Sequence, residues 1–506
     1  MTTPFDDVTV EQLEALQAAT TDMSIFIEGS RLDRNDIGNA ERVTHYCGDE
    51  LRYVKKIKEF RNWDGKRWNP STEADVMKIA RQIVANMFVE ATVAPADDRA
   101  GVASHAVRSA SRKAMSNMMG VAIGDDRLWR DLNDFDAKPH LLNFENGTVD
   151  IRKEVGNGRI RQHDPLDFLT QIIHHKYDPD AKCPRWLKLV ERVVQNANAD
   201  GATLRFLQKA LGYSILGGNP EHMIFFLTGS ERCGKSKILE IVRALIGEDY
   251  AHISKPDLIS KKKGGHHDSE VYSIIAKRLV LIAEVSSAYS LDESIVKSIT
   301  GEPVATARRL HKAEEIQVPT TWTIWLATND NPTVQNWDGA IAERVVVIPC
   351  GPTVPPEERV PDLDRQIIEE EAEGVLAWLV EGAHMWWSDL EATRNAGVAS
   401  TGLAKPPSVL AAGQVYAEDS DYIGAFIQDW LEFEDGARLR RPDVFKRFKE
   451  TRGPGERPER NKLYERLSVL PGVTVNSARE FVGLRLRSTS SSGGINWASL
   501  MGHQEE

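Results

Sequence analysis

The chain has 506 residues, too many for one hydrophobic core, so several folded units are expected. A composition 41% hydrophobic and 27% charged excludes a largely disordered chain, and no run reaches the ~20 consecutive apolar residues of a membrane span. The net charge of −12 argues against indiscriminate nucleic-acid binding over the whole surface. Residues 438–487 nevertheless hold 14 Lys/Arg against 6 Asp/Glu, so a basic module is carried on an acidic body. The opening MTTPFDDVTVEQ has no apolar secretory core, which makes the cytoplasm the expected compartment, with no membrane contact. Cys47, Cys183, Cys233 and Cys350 are scattered, with neither a CxxC pair nor histidines at zinc spacing.

In chain order, ELRYVKKIKEFRNWDGKRWNP reads as strand, turn at Asp64-Gly65, and strand. EADVMKIARQIVANMFVEA has apolar residues at helical spacing. HLLNFENGTVDIRKEVGNGRIRQHDP reads as strands and turns, with Asn146-Gly147 as a hairpin signal. CPRWLKLVERVVQNANADGATLRFLQKALGYSILGG turns helical and ends in glycines. Between 222 and 350, the apolar runs MIFFLTG, RLVLIAEV, TTWTIWLATN and ERVVVIPC alternate with helical segments, which suits an α/β unit whose parallel sheet is buried on both faces. A helical segment, IIEEEAEGVLAWLVEGAHMWWSDL, then leads to the Gly/Ala/Pro-rich NAGVASTGLAKPPSVLAAG, which reads as a linker.

The strand MIFFLTG runs directly into GSERCGKS, which opens an amphipathic helix. In this G-x-x-x-x-G-K-S pattern, Gly229, Ser230, Glu231, Arg232, Cys233, Gly234, Lys235 and Ser236 wrap backbone N–H groups around phosphates at a helix N-terminus. Lys235 supplies a cation for the β/γ oxygens and Ser236 a hydroxyl for Mg²⁺, so ATP and Mg²⁺ are the expected ligands. Glu284 ends an apolar strand 49 residues after Lys235, where a carboxylate can polarise water and reach the metal. Asn329 ends a second such strand and its amide can orient the same water. Arg344 stands just before a further strand, a position from which a guanidinium can neutralise charge on a transferred phosphoryl group. Strand capping, turn chemistry and a surface salt bridge are the bland alternatives for these three.

With these four elements in order, the chain resembles the superfamily 3 helicases, and within them the phage/plasmid primase–helicase branch that includes the poxvirus-type nucleoside triphosphatase. The segments that carry the resemblance are NFENGTVDI…HDPLDFLTQIIHHKYDPDAKCPRWLKLV, LQKALGYSILGG, IVKSITGEPVATARRLHKAEEIQVPTTWTIWLATNDNP and GVLAWLVEG. The resemblance implies an AAA+-like P-loop ATPase core and a homo-hexameric ring that moves on single-stranded DNA, usually 3′ to 5′. On that pattern Lys235 and Ser236 are the Walker A residues, Glu284 the catalytic carboxylate, Asn329 sensor 1, and Arg344 the finger reaching a neighbour's nucleotide. Two departures stand out: Ala283 rather than a second acid precedes Glu284, and Glu343 precedes Arg344, which leaves Arg308 or Arg309 as rivals for the finger. The expected units are an N-terminal accessory domain over 1–140, a helical upstream domain over 141–218, the ATPase over 219–395, a linker over 396–415, a basic winged-helix-like domain over 416–487 and a disordered tail over 488–506.

EPVATARRLHKAEEIQVP reads as two short strands around LHKAE, with His311 and Lys312 at the tip as donor and cation for one DNA phosphate. In the last unit RPDVFKRFKETRG and ERPERNKLYERLSVLPG read as basic helices, with Arg460, Lys462 and Arg466 on or near the second. FVGLRLRS reads as a wing strand whose period of two puts Arg485 and Arg487 on one face toward DNA. SKKKGGHHDSE reads as a basic loop rather than a metal site, since its adjacent histidines diverge. The first 140 residues lack the pattern of a primase domain, so a separate primase or polymerase is the expected partner on forked DNA. Two rival readings remain: an origin-binding initiator in which ATP controls assembly, and an AAA+ remodeller of proteins.

Overall fold

The computed structural model describes residues 23–155, 158–197, 201–260, 267–282, 290–308, 315–329, 332–334, 339–397, 401–420, 422–451 and 460–487. The first unit contains α1 (Asp36–Cys47), β1 (Leu51–Val54), β2 (Glu59–Trp63), β3 (Trp68–Pro70), α2 (Glu73–Val93), α3 (Arg99–Ser109), α4 (Arg112–Ala122) and the short β4 (Trp129–Arg130). Its sheet runs β3-β2-β1-β4. The stretch expected as two strands is therefore three. The exposed run 55–58 makes a turn of its own, with Lys58 at φ 54, before the second turn at Asp64-Gly65. Asp64 closes that second turn by accepting from the backbone N–H groups of Lys66 and Arg67, both at 2.8 Å. α2 starts where Thr72 and Asp75 form a reciprocal capping box.

His105 of α3 lies in this unit's interior, with Nε2 2.8 Å from Asn39 Oδ1 and 3.5 Å from Ser109 Oγ. Burial, reinforced by the charges of Arg42, Arg108 and Arg34, holds its imidazole down to about 4. The unfolded chain takes up a proton near pH 6.5 that the fold refuses until about pH 4, so stability is lost as pH falls through that window. The thermal midpoint of the parent protein is expected to drop from pH 6.5 to 4, and His105→Gln to flatten that slope. An equal slope in both proteins removes His105 as its source.

The helical description of 141–218 fits its second half alone; its first half, read as strands and turns, is a three-stranded antiparallel sheet. It comprises β5 (Leu141–Phe144), β6 (Gly147–Asp150) and β7 (Ile160–Arg161). Helices α5 (Pro184–Val194) and α6 (Ala202–Ser214) follow. None of this is a separate body: Leu142, Phe144, Trp186, Val190, Phe206 and Leu211 share one core with the central sheet. The physical reason is the amphipathic face of α5, which has only that sheet and its helices to bury against.

The central unit is β8 (Ile224–Thr228), α7 (Lys235–Tyr250), β9 (Ala251–Ser254), α8 (His267–Ser273), β10 (Leu279–Ile282), β11 (Ser290–Leu291) and α9 (Glu293–Gly301). It continues through β12 (Val304–Arg308), β13 (Glu315–Pro319), β14 (Thr323–Thr328), β15 (Thr333–Val334), α10 (Gly339–Arg344), β16 (Val345–Pro349), α11 (Leu363–Glu370) and α12 (Ala372–Asn395). Five strands form a parallel sheet in the order β16-β8-β14-β10-β9. Alternate residues serve two cores. Phe225, Leu227, Leu279, Leu281, Trp325, Val346 and Ile348 pack on the face with α5, α6, α7 and α12. Ile224, Phe226, Val280, Ile282, Ile324, Leu326, Val345 and Val347 pack on the other. Burial on both faces is why the strands read as unbroken apolar runs. α6 and α12 meet backbone to backbone, since a Cβ on Gly212 would collide with the main chain of Ala383 and one on Gly382 with that of Gln208.

The expected linker 396–415 is also corrected. α13 (Pro407–Ser420) is a helix whose Val409 and Tyr416 are 1% exposed, one in each core, and Tyr416 donates to the carbonyl of Pro332. Alanines between spaced apolar residues form a helix once the edge strand β16 offers a surface to cover it. Beyond it come α14 (Tyr422–Trp430), β17 (Leu431–Arg440), α15 (Arg441–Glu450), α16 (Arg460–Ser468), β18 (Thr474–Val475) and β19 (Glu480–Leu486). The strands make an antiparallel sheet in the order β17-β19-β18 over their own core, centred on Phe448, Leu463, Leu467 and Phe481. Among the described residues, no helix is long and apolar enough to cross a membrane.

Candidate functional site

The sheet order makes the site. β8 has β16 on one side and β14 on the other, so the chain's direction of winding reverses beside it. Ligands of open α/β sheets gather outside the carboxyl ends of the strands at such a reversal. Thr228, the last residue of β8, is level with Thr328 of β14 and Pro349 of β16. Residues 229–234, Asn329 and Cys350 therefore leave the sheet side by side.

The loop has the backbone that a phosphate cradle requires. Arg232 at φ 56 and Gly234 at φ 104 are in the left-handed region, and turning successive residues this way aims their N–H groups at one point. Gly229 is required by space: a Cβ there would stand 2.7 Å from the Cys350 carbonyl oxygen. At the start of α7, Gly234 offers no side-chain cap, so the first-turn N–H groups meet no side-chain acceptor there. Ser236 is exposed in that first turn, with its hydroxyl available to a metal bound beside phosphate. These features fit a Mg²⁺–triphosphate. Among the described residues there is no cluster of three or more His, Cys, Asp or Glu side chains able to hold a metal by itself.

Lys235 is 5% exposed, and its ammonium donates to Gly229 O at 3.0 Å, Ser230 O at 2.8 Å and Asn329 Oδ1 at 2.6 Å. Two residues 94 apart in sequence thus meet in one hydrogen bond. A second layer, not evident from the sequence, holds the loop from outside. After β16, Cys350 N–H donates to Thr228 O at 2.7 Å, Thr353 Oγ1 to Glu231 O at 2.8 Å, and Val354 N–H to Arg232 O at 3.1 Å. Lys237 of α7 reaches Asp364 of α11 at 2.7 Å. The only available sequence signal was the end of VVVIPC beside a buried strand.

Other expected site residues lie apart. Arg344 donates to Ala340 O at 2.8 Å and its guanidinium lies over Gly301 at the end of α9. It precedes Val345, which pairs with Ile224 at the amino end of β8, whereas the loop leaves the carboxyl end. Five strand residues at about 3.3 Å each separate the two levels by roughly 16 Å, farther than an arginine side chain extends. Arg344 therefore does not reach the loop of its own chain. Glu284, Arg309, His311 and Lys312 lie outside the described residues. The strand before Glu284, β10, ends at Ile282 on the same carboxyl edge as Asn329, and Arg308 pairs with Glu315 at the last rung of the β12–β13 ladder. That hairpin enters β14 at Thr323, the end opposite Asn329.

In the basic unit, Arg460 is exposed on α16, which also carries Lys462 and Arg466. The expected pair, Arg485 on β19 and Arg487 just after it, is engaged differently. Arg485 sits opposite Glu432 in the antiparallel register, pairing with it and with Glu434 at 2.8 Å, and Arg487 lies 4.0 Å from Glu432. The two arginines share a side, but carboxylates of β17 occupy it.

Residues 40–195 match the family model described as D5 N terminal like. That match runs through much of the first unit as well as β5–β7 and α5. A protein named "Putative helicase" from Acanthamoeba polyphaga mimivirus is 26% identical over 219 residues, covering 43% of this chain and 22% of that protein. A "Putative helicase" of Frog virus 3 is 22% identical over 267 residues, covering 50% and 26%. A "Putative primase" of African swine fever virus is 22% identical over 214 residues, covering 42% and 22%. The chain spans about a quarter of the length of the curated relatives it matches. Among solved structures, the NrS-1 C terminal region aligns with a TM-score of 0.39 at 11% identity, covering 75% of this chain and 74% of that one. The chain is thus a relative of viral proteins named as helicases and a primase, and it carries a D5 N terminal like region over residues 40–195.

Proposed function

We propose that this chain is an ATP-dependent DNA helicase of viral or mobile-element replication, acting as a homo-hexameric ring on single-stranded and forked DNA, with 3′ to 5′ movement. The observation that carries the reading is the 2.6 Å bond between Lys235 and Asn329, which joins the loop to the neighbouring strand end at the head of α7. It supports an AAA+-like P-loop core in which Lys235 meets the β/γ oxygens and Asn329 orients the attacking water that Glu284 polarises. Ser236 would hold Mg²⁺, which when bound would supply neutralisation of phosphate charge. Arg344 stands one strand length from its own loop, so in this reading the copy that presents it to the phosphoryl group is a second one. A ring satisfies that requirement for every copy at once.

Force would pass along β14. Loss of the γ-phosphate would release Asn329 at one end of that strand, and the β12–β13 ladder leads into the other; His311 and Lys312, between those strands in sequence, are the proposed DNA contacts. The helix–strand–helix–helix–strand–strand order of residues 422–486 supports a winged helix, and Arg460, Lys462 and Arg466 are its proposed DNA contacts. With Arg485 and Arg487 paired to Glu432, the wing's share in that contact is the smaller one. A separate primase or polymerase would complete the replication machinery, and the cytoplasm is the proposed compartment.

The test is ATP turnover with and without single-stranded DNA, beside displacement of one strand from a fork. Turnover should rise with DNA, and Lys312→Ala should keep basal turnover while losing both the stimulation and the unwinding. Turnover indifferent to DNA, with no strand released, would favour a remodeller of proteins. Origin footprints without unwinding would favour an initiator. Asn329→Ala should lower the turnover number by roughly 10–100-fold and leave nucleotide affinity within about threefold, because its amide acts on the attacking water more than on binding. An unchanged turnover number would remove Asn329 from the reaction.

A further inference from the structure

Two thiols meet beneath the loop. Cys233 is 1% exposed, its sulfur lies 4.0 Å from Lys235 Nζ, and the thiol of Cys350 is its neighbour, donating to Ile348 O at 3.7 Å. Cys350 is half-buried and follows β16, where its N–H extends the ladder to Thr228. Its Cβ would stand 2.9 Å from a Cβ on Gly229, which measures how closely it underlies the loop. The two cysteines are 117 residues apart in sequence and are joined only because β8 and β16 are neighbours.

Their chemistry is unequal. The neighbouring Cys350 thiol, the backbone N–H of Lys235 and its ammonium outweigh burial and draw the Cys233 thiol down to about 6. The neighbouring Cys233 and burial push the Cys350 thiol well up. Cys47 and Cys183 are pushed by burial to about 11. Cys233 is thus the more acidic thiol of the two, the inequality that separates an attacking from a resolving cysteine.

We propose that Cys233 and Cys350 are a redox modification site, forming a reversible disulfide that switches the loop between phosphate-competent and phosphate-incompetent shapes. The inference rests on reading 229–236 as the phosphate loop. With hydrogen peroxide as oxidant, the Cys233 thiolate attacks one peroxide oxygen and the O–O bond breaks. This leaves a sulfenic acid on Cys233 and a hydroxide that takes a proton from solvent to become water. The Cys350 sulfur then attacks the sulfenic sulfur; the S–S bond forms and the hydroxyl leaves with the Cys350 proton as a second water. Two thiols lose two electrons and the peroxide gains them. A dithiol reductant reverses the bond by exchange. A disulfide of about 2 Å brings the sulfurs closer than two unbonded thiols stand and drags residue 233 toward β16. Its N–H then no longer converges with its neighbours on one phosphate.

The experiment treats the reduced full chain with hydrogen peroxide, maps its thiols by peptide mass, and measures binding of a fluorescent non-hydrolysable ATP analogue. A Cys233–Cys350 peptide pair is expected, with Cys47 and Cys183 still alkylatable, an analogue affinity about tenfold weaker, and recovery with dithiothreitol. Cys350→Ser and Cys350→Ala, reduced, should bind the analogue like the parent. Under prolonged peroxide they should form no linked pair and proceed to an irreversible sulfinic acid at Cys233. Absence of the linked pair, a linked pair with unchanged affinity, or full dithiothreitol recovery of the Cys350 variants would overturn the proposal. If the reduced parent binds no analogue, the phosphate-loop reading fails instead, and the peptide map alone still decides whether the thiols join.

Discussion

Lys235→Ala is expected to lower ATP turnover by about 10³-fold, the scale of removing a preorganised charge from a transferred phosphoryl group. The ammonium is almost wholly buried, and its three oxygen partners come from the loop and from the end of β14. Lys235→Arg should therefore fail nearly as badly, since a planar fork does not fit where a point charge is held by two carbonyls. The alanine variant also leaves those carbonyls without their donor, which costs about 1–3 kcal/mol. Thermal unfolding measured beside turnover separates the two losses. A folded Lys235→Ala chain that turns over ATP within a few-fold of the parent would end the proposed mechanism.

Arg42→Met is expected to destabilise the first unit by about 3–5 kcal/mol, a large share of the 5–15 kcal/mol that holds a domain folded. Arg42 and Glu90 are fully buried, and two guanidinium nitrogens reach the carboxylate at 2.9–3.1 Å. The same guanidinium serves the carbonyls of Gly29, Asp33, Leu32 and Gly38, and Tyr46 donates to Glu90 at 2.9 Å. Burial and the neighbouring carboxylate push the Tyr46 phenol up, so it stays a donor at any physiological pH. Methionine fills the volume but strands a carboxylate and four carbonyls. Glu90→Gln strands less, because the carbonyls keep their donor, and should cost clearly less than Arg42→Met. The midpoint of the first urea transition reads both. Equal midpoints for the two variants would mean the ion pair, not the carbonyl network, carries the energy.

The two thiols and the buried arginine share a lesson about what a sequence displays. Local chemistry was legible. The loop GSERCGKS needs only neighbouring residues to adopt its shape, so its backbone could be read directly, as could the apolar strands on both sides of it. Turns were read less well when charge masked them, as at 55–58, where four exposed residues bend the chain without a glycine. The supposed linker at 396–415 was misread because its alanines become helical only when an edge strand is there to cover them. The small sheet of 141–161 was legible as strands with a hairpin signal at Asn146-Gly147, and the helical label on 141–218 suits the second half of that unit alone.

By itself the sequence determined that a strand, a glycine loop and a helix would follow one another and form the cradle around Lys235, because hydrogen bonds and dihedral preferences within a dozen residues specify it. Only the tertiary structure decided who joins that cradle. Inserting β14 beside β8 brings Asn329 to Lys235, placing β16 on the other side brings Cys350 to Cys233, and the common strand direction leaves Arg344 at the far end. Such choices follow from the order in which strands pair to bury both faces of a sheet, a long-range packing condition that no local stretch of chain records.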